Sequence, residues 1–127
     1  ILEPTQDLVS TFKEQGISDV PLIIGGTTTP LADTLIATGA NNVLCDFTSD
    51  WPVWLEKCEA SGVALRRNMD PSFIQRSGPD DIYQAARTAI EESEGYSGFI
   101  MGTAVIPDGT PRENLLAVKQ ACLDAPD

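Results

Sequence analysis

Residues Gly98–Ala117 read GFIMGTAVIPDGTPRENLLA, and this stretch decides the fold. Phe99-Ile100-Met101 is a short apolar run of strand length, bounded by glycines. Small residues follow at Gly102-Thr103-Ala104, and then a Pro-Asp-Gly turn at Pro107–Gly109. Thr110 is placed to cap a helix, Pro111 suits its first turn, and Glu113 stands where it can reach back to close a capping box. A buried strand, a loop at its carboxyl end and a helix make one βα unit. Loops of this kind usually carry the active sites of α/β proteins.

Working outward, the same unit recurs upstream. Pro4–Gln15 predicts a helix with Leu8, Val9 and Phe12 on one face and Gly16 at its end. Val20–Ile24 predicts a buried strand, with Pro21 tolerated near its start. Gly25-Gly26-Thr27-Thr28 forms the loop after it. Thr29-Pro30 opens a helix to about Thr38 that carries Leu31, Leu35 and Ile36, stopped by Gly39. Val43-Leu44-Cys45 is the next strand, with Asp46 at its end. Ser49 or Asp50 opens a helix carrying Trp51, Trp54, Leu55 and Cys58, and Gly62 stops it. Val63-Ala64-Leu65 is a short third strand running into Arg66-Arg67-Asn68-Met69. Asp70-Pro71 caps a helical turn through Ile74. Gly78–Asp81 opens the longest helix, to about Ser93, with Ile82, Ala85, Ala86, Ala89 and Ile90 at a 3.6-residue period. The last helix runs from Pro111 to about Leu123, with Leu115, Leu116, Val118 and Leu123 apolar.

The pattern is one helix followed by four βα units. Strand starts lie about 20 to 35 residues apart, the spacing of a crossover connection between parallel strands. Two architectures fit: half of an eight-stranded βα barrel, or a small open parallel sheet with helices on both faces.

Composition narrows the function classes. The chain has 127 residues, 42% of them hydrophobic, enough for one modest domain over residues 1–127. It opens at Ile1 inside a helical pattern, which reads as part of a longer protein. No apolar run approaches the length of a membrane span. Nineteen acids against 8 bases leave a net charge of −11, which argues against nucleic acid as a partner. The 3 cysteines are widely spaced and match no zinc-finger pattern; with no secretory signal pattern they read as reduced thiols in a cytoplasm. The chain has no histidine, which rules out a Ser-His or Cys-His pair within it and removes the commonest metal ligand.

In a parallel sheet all strand ends share one rim. That rim would carry Gly25, Gly26, Thr27 and Thr28, then Asp46, then Arg67, Asn68 and Asp70, and finally Thr103. Each has a plainer reading. The glycines permit a tight turn, the threonines are turn and cap residues, and Asp70 is a helix N-cap before Pro71. The Gly25-Gly26 loop matches neither phosphate-loop pattern. Asp46 is harder to dismiss, because an acid directly after an apolar strand risks burial and needs a partner. Arg66 or Arg67 would supply one. Cys45 reads as an inert core thiol, and Trp51 and Trp54 as packing residues.

These motifs, taken in order, resemble the uroporphyrinogen decarboxylase superfamily. That superfamily includes tetrapyrrole decarboxylases and zinc-dependent methyltransferases that work with methylated corrinoids. The resemblance rests on the Gly25-Gly26 loop, Thr38-Gly39-Ala40, Asp46, Asn68-Met69-Asp70-Pro71, Gly98-Phe99-Ile100 and Thr110-Pro111-Arg112-Glu113-Asn114. It implies that the chain is the C-terminal half of a TIM-type (β/α)8 barrel, with four parallel strands and helices.

The Thr-Pro-x-Glu-Asn ending looks more like the methyltransferase branch than the decarboxylase branch. Methyltransferases of this type carry His-x-Cys-Gly after the fifth strand, where this chain has Ile23, Ile24, Gly25 and Gly26. Their third zinc ligand is a Cys where this chain has Thr103, and the decarboxylases have a His there. No metal site is therefore expected within this chain. The resemblance implies methyl transfer with an altered, zinc-free site and a corrinoid brought by a partner protein. Asp46 would be the proton carrier, provided burial desolvates it. Gly25, Gly26, Thr27, Arg67, Asn68, Asp70 and Thr103 would hold the substrate, Arg67 through a carboxylate. Decarboxylation of a tetrapyrrole is the enzyme alternative. The non-enzyme alternative is a half-barrel binding module that pairs with its missing N-terminal half or a second copy of itself.

Overall fold

The computed structural model describes residues 2–126. Six α-helices and four strands occur among them. Helix α1 spans Leu2–Glu14, strand β1 Pro21–Leu22, and a 3₁₀ turn at Thr29–Leu31 leads into α2 at Ala32–Ile36. Strand β2 is Asn42–Cys45, α3 Trp51–Ser61, β3 Ala64–Asn68, α4 Pro71–Arg76, α5 Pro79–Glu91, β4 Phe99–Gly102 and α6 Arg112–Leu123.

The four strands form one parallel sheet in the order β1-β2-β3-β4. Pro21 and Leu22 lie beside Asn42 and Val43, and Asn42–Cys45 lie beside Ala64–Arg67. The Leu65 amide donates to the Gly98 carbonyl at 2.8 Å, and the Met69 amide donates to Gly102 at 2.9 Å. Sequential order separates the two expected architectures. An open doubly wound sheet reverses direction at a switch point, whereas a barrel adds each strand beside the last. No reversal occurs here.

The chain forms two compact units. The first comprises the residues up to Arg67 with Ser97–Ile100; the second comprises Asn68–Tyr96 and the residues from Met101 on. In the first, Val43, Leu44, Trp54, Leu55, Cys58 and Leu65 are buried. Helix α3 is locally encoded at both ends. The Asp50 carboxylate accepts from the Val53 amide at 3.2 Å, and Gly62 closes the other end with a left-handed φ of 70° and an amide bond to the Cys58 carbonyl.

The core of the second unit is Met69, Ile74, Ile82, Ala86, Val118 and Ala121. Along α6 the buried stripe is Asn114, Val118 and Ala121, so one face of that helix carries a polar residue into the interior.

Several expectations are corrected. Strand β1 ends at Leu22; Ile23 and Ile24 are exposed at 49% and 37%, because the chain leaves the ladder there to bond with residues after β2. The strand of the opening stretch is not fully buried, since Ile100 is exposed. Leu8, Phe12, Leu31, Leu115, Leu116 and Leu123, which mark the apolar positions of their helices, are also exposed. Strand β3 runs on through Arg66 and Arg67 to Asn68. The expected capping box does not form: the Thr110 hydroxyl donates to the Pro107 carbonyl at 2.7 Å, and Pro111 occupies the N-cap position with no side-chain cap. The hydroxyl is used to close the Pro-Asp-Gly turn, where Gly109 supplies the positive φ of 75°.

Candidate functional site

Asp46 directly follows β2 and is only 8% exposed. Its carboxylate accepts two backbone bonds, Gly26 N–H to Oδ2 at 2.8 Å and Phe47 N–H to Oδ1 at 3.1 Å. Gly25 makes this approach possible, since a Cβ there would lie 3.2 Å from Oδ2. Gly26 has a φ of +87°, a conformation that favours glycine.

Ser49 completes the join between the two loops. Its hydroxyl donates to the Gly26 carbonyl at 2.9 Å and accepts from the Thr28 amide at 2.9 Å. The Asp50 amide donates to Thr29 Oγ1 at 2.8 Å. Thr28 is buried and Thr27 is exposed. The Gly25–Thr29 loop is thus held by hydrogen bonds to Asp46, Ser49 and Asp50, among them a side-chain bond between the Thr28 and Ser49 hydroxyls at 3.3 Å. Sequence reasoning assigned Ser49 only a capping role that Asp50 performs. Nothing within a few residues of Ser49 signals its bonding to a loop more than twenty positions upstream.

Arg67, half-buried near the end of β3, places its guanidinium carbon 4.6 Å from the centroid of the Trp51 ring. Trp51 packs edge-on against Phe99, with centroids 5.7 Å apart and rings at 79°. Trp51 is therefore a seat for a cation and not packing alone. Cys45 lies nearby, 1% exposed; burial pushes its thiol up to about 12, against the opposing pull of Arg67. Burial also pushes Cys58 up to about 12. Both behave as inert thiols, as the sequence suggests for Cys45.

The remaining candidates lie in the second unit. Asn68 is buried at the end of β3. Asp70 is exposed and caps α4, its carboxylate accepting from the Ser72 amide at 2.8 Å. Thr103 is half-buried and directs Oγ1 to the Ala104 carbonyl at 3.5 Å, a weak contact. Ala104 itself has a positive φ of 55°. Asn114 is the residue whose role the motif reading missed. It is 2% exposed, and its Nδ2 donates to the carbonyls of Ile74 at 2.7 Å and Ser77 at 3.0 Å, closing the C-terminal end of α4.

The family model of uroporphyrinogen decarboxylase (URO-D) matches residues 1–124. The chain belongs to the uroporphyrinogen decarboxylase family. No curated protein matches it. The fold of this family is the TIM barrel, and four parallel strands in sequential order, alternating with helices, are consistent with half of it. Ile23 and Ile24 end in hydrocarbon, Gly25 and Gly26 have no side chain, and Thr103 offers only a hydroxyl. Among the described residues no three His, Cys, Asp or Glu side chains are grouped to hold a metal ion. Nor is any described helix long and apolar enough to cross a membrane.

Proposed function

We propose that this chain is the C-terminal part of a cytoplasmic uroporphyrinogen decarboxylase-like enzyme of the methyltransferase-like branch, with a site altered so that it works without the usual zinc ligands. The observation that carries this reading is the Gly26–Asp46 hydrogen bond. At the loop where the similar methyltransferases place two zinc ligands, this chain has hydrocarbon and glycine, and a buried carboxylate braces the loop instead. The Thr110–Asn114 ending supports the branch, and three free cysteines support the compartment.

The residues divide the work by chemistry. Asp46 carries the proton at a carboxylate oxygen already oriented by backbone donors. Gly25, Gly26 and Thr27 present backbone close to the substrate. Arg67 holds a substrate carboxylate, and Asn68, Asp70 and Thr103 position the substrate by hydrogen bonds. A corrinoid carried by a partner protein would supply the methyl group.

The test is an assay of the protein with methylcobalamin and a small thiol as acceptor, reading thioether by mass, run beside an assay of uroporphyrinogen for released carbon dioxide. Thioether formation that falls in Asp46→Asn supports the reading. Carbon dioxide release without methyl transfer replaces it with tetrapyrrole decarboxylation.

A second reading has its own observation. Strands β1 and β4 end the sheet, and Ile23, Ile24 and Ile100 in the first unit are exposed. A non-catalytic module would use such residues to join the N-terminal half of a barrel or a second copy. Light scattering on a sizing column distinguishes these: a stable dimer of the isolated chain favours the second copy, and a monomer removes it.

A further inference from the structure

We propose that Ser49 is a positioning residue for the Asp46 carboxylate and that it acts through Gly26. This rests on the proposed function in taking Asp46 as the proton carrier, and it adds a residue that no motif marks.

Three hydrogen bonds form a closed ring. Asp46 Oδ2 accepts from the Gly26 amide at 2.8 Å, the Gly26 carbonyl accepts from the Ser49 hydroxyl at 2.9 Å, and the Ser49 amide donates to the Asp46 carbonyl at 2.9 Å. The last of these closes a tight turn over Asp46-Phe47-Thr48-Ser49. One turn therefore grips Gly26 by both of its backbone groups. The left-handed φ of +87° at Gly26 is the conformation that this double grip holds. With the carbonyl fixed by Ser49, the amide cannot swing away from the carboxylate unless the ring opens.

The Ser49 hydroxyl is fully occupied by the loop. A serine hydroxyl has one proton and two acceptor sites. Its proton goes to the Gly26 carbonyl, and the Thr28 amide at 2.9 Å and the Thr28 hydroxyl at 3.3 Å supply the other two bonds. Capping α3 does not require this arrangement, because Asp50 performs the cap. Any influence of Ser49 on proton transfer must then pass through the loop and not through its own proton.

The consequence falls on the direction of the carboxylate. The Phe47 bond to Oδ1 comes from the next residue in the chain and follows Asp46 wherever it moves. The Gly26 bond ties the carboxylate to a different loop, twenty residues away. A proton carrier works only when its oxygen stands within hydrogen-bond reach of the reacting atom, so small displacements lower the rate. Losing the Ser49 hydroxyl leaves Gly26 held from one side and lets the carboxylate turn.

The test is NMR of the isotope-labelled protein at one fixed pH, reading the Asp46 carboxyl carbon and the hydrogen exchange of the Gly26 amide. Ser49→Ala is expected to move the Asp46 resonance and to speed Gly26 exchange by about 3- to 10-fold. Ser49→Thr keeps a hydroxyl and should return both toward the parent. Ser49→Cys, close in size but a weak donor and acceptor, should behave as Ser49→Ala does. Asn114→Ala lowers stability in the second unit and should leave both signals in place, which separates positioning from general loosening. Circular dichroism checks that each variant folds; should Ser49→Ala not fold, Ser49→Cys and Ser49→Thr decide. An Asp46 resonance that stays in place while Gly26 exchange rises would make Ser49 a brace of the loop alone and overturns the proposal, as does an equal shift in Asn114→Ala. In the methyl-transfer assay Ser49→Ala should lose about 3- to 10-fold in rate and Ser49→Thr recover it. Full rate in Ser49→Ala also overturns the proposal. Absence of methyl transfer in the parent, with the resonance moved in Ser49→Ala and restored in Ser49→Thr, would sink the proposed function and leave the positioning of Asp46 standing. Methyl transfer with the resonance unmoved would do the reverse.

Discussion

The Gly26 amide donates to the Asp46 carboxylate at 2.8 Å, across twenty residues of chain. This bond ties the loop after β1 to the end of β2 and fixes the carboxylate in orientation. Asp46→Asn keeps the shape but turns one acceptor into a donor, facing either Gly26 or Phe47. A loss of about 1–3 kcal/mol is expected in urea denaturation. Gly26→Ala forces a side chain into a left-handed conformation and should cost about 1–2 kcal/mol. The two changes act on one loop, so the double variant should lose less than the sum. Full additivity would show that the bond contributes nothing to holding the loop.

Asn114 should matter more to stability than any exposed leucine of α6. Asn114→Ala removes both donors from the carbonyls of Ile74 and Ser77 and leaves a space in the core, so a loss of about 2–3 kcal/mol is expected. Leu116→Ala, at a position 45% exposed, should change stability by about 0.5 kcal/mol or less. Denaturation midpoints at a common m-value test the ranking.

The helix caps give a paired comparison. Asp70→Ala removes the acceptor of the Ser72 amide and should cost about 1 kcal/mol. Thr110→Ala removes no helix cap, only the hydroxyl bond to Pro107, and should cost less. A larger loss at Thr110 would mean that its hydroxyl serves α6 after all.

The buried thiols predict a dependence on pH. Cys45 and Cys58 are raised from the ordinary 9.0 to about 12, so the folded protein keeps them protonated where the unfolded chain ionises. Their contribution is complete below pH 9 and is lost as pH rises from 9 toward about 12. Stability measured across that range should fall, and Cys45→Ser should flatten the fall. Under native conditions a thiol reagent should modify the exposed Cys122 first.

In the second unit, the Tyr83 hydroxyl donates to Asp124 Oδ2 at 2.8 Å, which raises the tyrosine and lowers the carboxyl from their ordinary values. Tyr83→Phe should therefore move the Asp124 titration upward in a carboxyl-resolved NMR series. What Asp124 contributes to stability is present above its ordinary value of 3.8 and lost as pH falls through the lower folded value. An unmoved titration would place the hydroxyl elsewhere.

The sequence by itself determined what depends on neighbours along the chain. The α/β alternation follows from apolar runs separated by helical periods. The Asp50 and Asp70 caps and the Gly62 stop follow from residue types acting within one helical turn. The motif order sufficed to place the chain in the uroporphyrinogen decarboxylase superfamily, and the family match over residues 1–124 agrees. Tertiary structure alone decided which apolar residues reach a core and which polar residues hold the loops. Periodicity marks a face as apolar without saying what covers it, and Leu8, Leu31 and Leu123, each on such a face, lie exposed. Thr110 turned back to Pro107 because the preceding turn offered its hydroxyl a nearer acceptor. Ser49, Asn114 and the Arg67–Trp51 pair each act on partners more than fifteen residues away, and a hydrogen bond or a stacked ring at that separation exists only once the strands and helices have brought the groups together.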